Sequence, residues 1–185
     1  MKMNMIRYFS ISLAAFLLIA CQQTPKEEAL QENNYRFEGL AVSNEVNVLT
    51  NYAANTLLSI RLADIAVQDA STSQVRELAK MMAKDHRQLY GELEKLAANY
   101  NMALPAELSE GQRETVKMLE SKTGASLDQS YVDMSISYHE AFSDKMENII
   151  KDTSHESMLE FARLVDSHRY VHLNEAKKLK MELEA

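Results

Sequence analysis

Apolar residues recur at three- and four-residue intervals along most of this chain and draw four long stripes. The clearest runs through Val75, Leu78, Met82, Leu89, Leu93, Leu96 and Tyr100. It predicts one face of an α-helix that takes Ser73 as its N-cap and ends around Tyr100-Asn101. Before it, Val46, Leu49, Ala53, Leu57, Ile60 and Val67 mark a helix from Ser43 to about Asp69, with Asn44-Glu45 as cap and dipole residues. After it, Leu127, Tyr131, Met134, Tyr138, Phe142 and Ile149 predict a helix over Ser126–Lys151. Met158, Ala162, Val165, Arg169, His172, Ala176, Leu179 and Leu183 predict another over His155–Glu184, with Ser154 as its cap. Breaks fall at residues 70–73, 101–109 and 152–154, and Pro105 stops any helical continuation in the longest of them. Inside that connection Ser109-Glu-Gly-Gln112 has the form of a capping box and predicts a short helix to about Lys122, broken by Thr123-Gly124.

Long amphipathic helices joined by short turns predict an all-α, antiparallel four-helix bundle with a short extra helix between helices two and three. Glu77-Leu-Ala-Lys-Met-Met82 is echoed by Glu160-Phe-Ala-Arg-Leu-Val165, which pairs the second long helix with the fourth. Composition agrees: 46% of the 185 residues are hydrophobic, with four glycines and two prolines. The formal charge of −7 and the lack of a basic stripe argue against a nucleic-acid partner.

The first residues read as an address rather than as fold. Lys2 and Arg7 precede a short apolar run, Phe9–Ala20, that ends in Leu18-Ile19-Ala20-Cys21. This looks like a bacterial lipobox and implies a signal peptide over 1–20, cleavage before Cys21 and lipidation of its thiol. Multiple acyl chains give stable anchoring where one is marginal. Residues 21–40 then read as the lipidated cysteine and a flexible polar tether, and 41–185 as the bundle domain. Gln22, where an aspartate would resemble an inner-membrane retention signal, favours the outer membrane, facing the periplasm or the cell surface. Lys26-Glu27-Glu28 resembles the acidic tether signal of some surface-exposed lipoproteins. With Cys21 the only cysteine, an internal disulfide, a zinc ribbon and a Cys–His nucleophile pair are excluded.

Several short blocks carry a resemblance. Leu62-Ala63-Asp64-Ile65-Ala66, Val75-Arg-Glu-Leu-Ala79 and Met82-Ala-Lys-Asp-His86 come first. Ala103-Leu104-Pro105, then Leu127-Asp128-Gln-Ser-Tyr131 with His139, then His172-Leu173, follow in order. In order and spacing they resemble the bacterial ferritin-like family filed as domain of unknown function 4142, found among exported proteins and lipoproteins. The resemblance spans Ser43 to Leu183. It implies a ferritin-like bundle and no established reaction. The family tends to carry a glutamate near the position of Ser59, and this chain does not.

Ferritin-type di-iron sites take a glutamate from each of two helices and a Glu-x-x-His from each of the other two. Here the residues three before His86, His139, His168 and His172 are Ala83, Ile136, Val165 and Arg169. The di-iron ligands are absent, which argues against a ferroxidase and leans away from an enzyme; no catalytic residue stands out. The histidines themselves are candidate ligands. His168 and His172 stand four apart on one helix face, and His86 and His139 lie midway along their helices. An all-imidazole set would suit Zn, Cu or Ni, with Asp85, Asp166 or Glu140 orienting the rings. The competing expectation is that these are core-boundary histidines hydrogen-bonded to a carboxylate or to Tyr131 or Tyr138. Met81, Met82, Met134, Met146 and Met158 read as gap-filling core. The functions that follow are a lipid-anchored, non-enzymatic binding or stress-related bundle with or without a histidine-held metal, a ferritin-like metal-dependent redox or storage protein, or an envelope spacer. Cofactor identity, protein partners in the envelope and oligomeric state stay open.

Overall fold

A computed structural model describes residues 23–184, which form seven helices and no strand. The signal segment and Cys21 lie outside these residues. Helix α1 spans Pro25–Phe37, α2 Ser43–Asp69, α3 Ser73–Tyr100, α4 Glu110–Glu120, α5 Gly124–Ala141, α6 Ser143–Asp152 and α7 Glu156–Leu183.

Helix α1 occupies the stretch expected to be a flexible tether. Thr24 and Glu27 form a reciprocal capping box, with Pro25 in the first turn. Glu27 thus closes the start of this helix. The helix shows no long stripe because a polar residue holds it. Asn33, fully buried, donates to Thr50 Oγ1 (2.9 Å) and to the Ala103 carbonyl (2.8 Å), and accepts from Ala103 N (2.8 Å). One side chain therefore ties α1 to α2 and to the connection after α3. Asn33→Ala is expected to cost about 2–3 kcal/mol in urea unfolding, since it strands buried partners. An unchanged midpoint would make α1 an adjunct to the fold.

Helices α2 and α3 begin and end where the stripes and breakers predict. The cap of α3 is Thr72, not Ser73; its side chain accepts from Val75 N. A residue from far along the chain completes this end. Asp128, buried on α5, accepts from Ser71 N (2.7 Å), Ser71 Oγ (2.8 Å) and Thr72 N (2.9 Å). Burial alone would raise its carboxyl, but the Ser71 and Thr72 donors hold it below the usual range. Asp128→Ala should lose about 2 kcal/mol of stability through the stranded turn donors, read as a lower melting temperature.

The helix expected over Ser126–Lys151 is two helices, separated at Phe142 (φ −107°, ψ −2°). No glycine or proline marks the break. Ser135 Oγ donates to the Tyr131 carbonyl (2.9 Å), and His139 Nδ1 lies 2.6 Å from the Ser135 carbonyl. Such back-bonding draws carbonyls from the backbone ladder and bends helices. The Phe142 ring packs edge-on against Tyr52, 5.6 Å between centroids. Helix α7 is capped at His155 rather than at Ser154, and the His155 ring stacks edge-on against Tyr100.

Helix α2 packs on α3, α3 on α7, α7 on α5, and α5 back on α2, so the long segments close a ring. α1 and α4 lie against α2, which buries α2 on several sides. Accordingly Leu57, Ile60 and Val67 are only half-buried, while Thr50, Tyr52, Ala54 and Thr56 are buried. The interior divides into two apolar cores. One holds Val46, Leu49, Leu89, Leu93, Met146, Met158 and Val165; the other holds Leu62, Leu78, Met82, Leu119, Leu127, Tyr131 and Ala176. Met82, Met146 and Met158 are core residues as expected. Between the two cores, on α3, α5 and α7, fall His86, His139 and His172.

Candidate metal centre

All three histidines of this middle layer are buried: His172 is 0% exposed, His86 6% and His139 8%. Their ring centroids lie 5.0–5.3 Å apart. One ring nitrogen from each lies within 4.8 Å of the other two, so the trio can hold a metal ion. His168, the fourth expected ligand, is not in this trio. It stands one turn before His172 and nearer solvent, with Nδ1 3.4 Å from Asp85 Oδ2. Together Asp85, His168 and His172 form a second three-donor group.

The hydrogen bonds form a directed chain. The Ser135 carbonyl can only accept, so His139 Nδ1 carries a proton. His139 Nε2 then offers a lone pair to His172 Nδ1, 3.0 Å away. His172 Nε2 in turn lies 2.9 Å from Asp85 Oδ2. These three contacts need three protons, and two neutral imidazoles supply two. Beside this deficit stands His86, whose Nδ1 and Nε2 are both buried without a hydrogen-bond partner. Unpartnered buried polar atoms call for an explanation, an ion among them.

The missing charge is not readily met by protonating the rings. Burial, reinforced by the neighbouring histidines, pushes His86 well below its ordinary value. Burial and His172 push His139 down to about 4. Burial also lowers His172, against the opposing pull of the Asp85 carboxylate. Neutral imidazoles are the form that binds metals. A cation on the inner nitrogens would leave His172 Nε2–H donating to Asp85 and His139 Nδ1–H to Ser135, so both protons of that chain are placed. Outer hydrogen bonds of this kind orient metal-binding histidines. Zn–N bonds of about 2.0–2.1 Å set tetrahedral N···N separations near 3.3 Å, so the 3.0 Å His139–His172 approach needs only a slight opening.

A cavity of about 30 Å³ adjoins the trio, with Tyr52, Thr56, Ser59, Tyr138, Val165 and His168 in its wall. It exceeds the roughly 10–15 Å³ that admits one water. Ser59 lines this cavity together with the histidines and supplies no carboxylate. Asp64 pairs with Arg87 (2.5 Å) instead. Of the three candidate orienting carboxylates only Asp85 serves: Asp166 holds Arg169 and Glu140 holds Lys177. Tyr131 donates to Met82 Sδ (3.3 Å), not to a histidine. The expectation of a carboxylate or tyrosine partner thus describes His172, which meets Asp85; His139 meets a backbone carbonyl and the His172 ring, and His86 meets no partner. Neither three-donor group contains a glutamate.

Fold and site together define an all-α domain with a buried trio of histidines between two apolar cores. The family model described as Domain of unknown function (DUF4142) matches residues 37–179, and the chain belongs to that family. No curated protein and no solved structure matches the chain.

Proposed function

We propose that this is a ferritin-like four-helix bundle that binds one borderline transition-metal ion, Zn, Cu or Ni, through His86, His139 and His172. The observation that carries the reading is the proton deficit along Asp85–His172–His139–Ser135 beside the two unpartnered nitrogens of His86. One cation accounts for the deficit and for one of the two His86 nitrogens; an extra proton would account for the deficit alone. Three neutral nitrogen donors suit borderline ions better than Mg or Ca, which prefer oxygen. A di-iron centre would want bridging carboxylates that the trio lacks. Bound there, the metal would supply a Lewis-acidic or redox centre, and the protein would contribute an oriented ligand set and a dry surround.

The domain is, in this reading, a binding protein of the cell envelope, anchored by lipid on Cys21 and favouring the outer membrane. The Leu18–Cys21 lipobox supports the anchor. No helix among the described residues is long and apolar enough to cross a membrane. Because α1 begins at Pro25, such an anchor would hold the folded domain close to the lipid surface rather than on a long leash. Palmitate labelling lost in Cys21→Ala would support it; labelling that persists would refute it.

The decisive titration uses the full chain in detergent, without a histidine tag, against Zn, Cu, Ni and Fe. One equivalent of a borderline ion at micromolar affinity or tighter is expected, and alanine at His86, His139 or His172 should abolish binding of that tightness. No binding by any ion would end the metal reading. Iron uptake with oxygen consumption would instead favour the ferritin-like redox alternative.

A further inference from the structure

The buried trio raises a problem of access. An ion stripped of water and moved through apolar protein meets a prohibitive desolvation cost. Passage becomes feasible when the ion exchanges one donor at a time. The Asp85–His168–His172 group lies on that route. Its side chains grade from 23% exposed at His168 and 17% at Asp85 to 1% at His172. It also carries the carboxylate that the inner trio lacks, so it would attract the ion first. The one cationic neighbour in the cavity wall, Arg169, is held by Asp166 through Nε (2.9 Å) and Nη2 (2.7 Å).

His172 belongs to both groups, and a neutral imidazole has one lone pair. With its proton on Nδ1, it donates to His139 Nε2 at 3.0 Å and turns the Nε2 lone pair outward toward Asp85 and His168. With its proton on Nε2, it donates to Asp85 at 2.9 Å and turns the Nδ1 lone pair inward. Each tautomer places its proton on a partner already in reach, and each serves one group only.

Resting on the metal reading above, we propose that Asp85, His168 and His172 form an outer docking site from which a divalent transition-metal ion is handed to the buried trio. The transfer shifts one proton of His172 from Nδ1 to Nε2 and needs no redox partner. The two sites fill alternately, so the chain holds one ion, and His168 governs the rate of exchange rather than the final affinity.

The test is stopped-flow zinc loading of the metal-free full chain in detergent, followed by a chromogenic indicator, with release measured against EDTA. His168→Ala removes a partly exposed side chain and is expected to melt like wild type. It should slow loading and release together by about tenfold or more, a barrier change of about 1.4 kcal/mol, while equilibrium affinity stays within about threefold. His86→Leu, which spares the outer group, should retain one weak, rapidly exchanging zinc. The proposal is overturned if His168→Ala loads as fast as wild type, if its affinity falls along with its rate, or if wild type takes two equivalents. It is also overturned if His86→Leu retains no zinc. In each of those cases the inner site can still stand; failure of wild type to bind any zinc removes both.

Discussion

His86→Leu is expected to weaken binding of the borderline ion by at least about a hundredfold and to make the metal-free protein more stable. The two effects have one origin. His86 is buried with neither ring nitrogen hydrogen-bonded. Each unmet polar atom costs about 1–3 kcal/mol, and an apolar side chain of similar volume would remove that cost. The gain in urea unfolding should therefore be about 1–3 kcal/mol, less whatever the new shape loses in packing. The binding loss follows from removing one of three donors, where even an outer-shell change can cost tenfold to a hundredfold. His172→Ala should also abolish tight binding but destabilise, because it strands His139 Nε2 and Asp85. A His86→Leu protein that binds as wild type, or that loses several kcal/mol, would contradict the assignment of His86 as a ligand.

The second large effect is on pH. The metal-free protein should lose stability as the pH falls from about 6.5 to about 4. An unfolded imidazole titrates near 6.5, whereas burial holds His139 at about 4 in the fold. Above 6.5 neither state binds the proton and the full stability is present. Below it the unfolded chain gains a proton that the folded chain refuses, at about 1.4 kcal/mol per unit. His139 alone thus accounts for roughly 3 kcal/mol at pH 4, and His86 and His172, also lowered by burial, act in the same direction. Asp128, a carboxyl held low, works in a different window: its contribution is lost only as the pH falls below the ordinary carboxylate range. Metal affinity of the folded protein should fall only as the pH approaches the lowered values of the buried rings, about 4 for His139, where protons begin to compete for the same nitrogens. Urea midpoints at pH 7.5, 5.5 and 4.0 test this, and a flat profile between the first two and the last would contradict the buried neutral trio.

How much of this was legible in the chain depends on what kind of interaction carries each part. The ends of α2 and α3 follow from their own residues, because stripes, caps and Pro105 act locally. Ser109 likewise announces α4, and its capping box with Gln112 is present. Helix α1 escapes the pattern because its anchor is Asn33, a polar residue satisfied by partners 17 and 70 positions away. The break at Phe142 has no local breaker and reflects back-bonding from His139 and the contact with Tyr52. For the site, the mid-helix positions of His86 and His139 and the four-residue spacing of His168 and His172 suggested convergence. The spacing could not say that His168 faces Asp85 while His172 faces inward. Nor could it show that His86 lacks partners, since that depends on what every neighbour does not offer. Among the candidate carboxylates, Asp85 differs from Asp166 and Glu140 only in having no cation bound to it in the fold.

The histidine assignment is tested most directly by X-ray absorption at the zinc edge on full-length protein loaded with one equivalent. The account predicts nitrogen neighbours at about 2.0–2.1 Å, with outer-shell scattering from three imidazoles in wild type and from fewer in His86→Leu. A shell dominated by oxygen with no imidazole scattering, or zinc that washes out of wild type on dialysis, would contradict it.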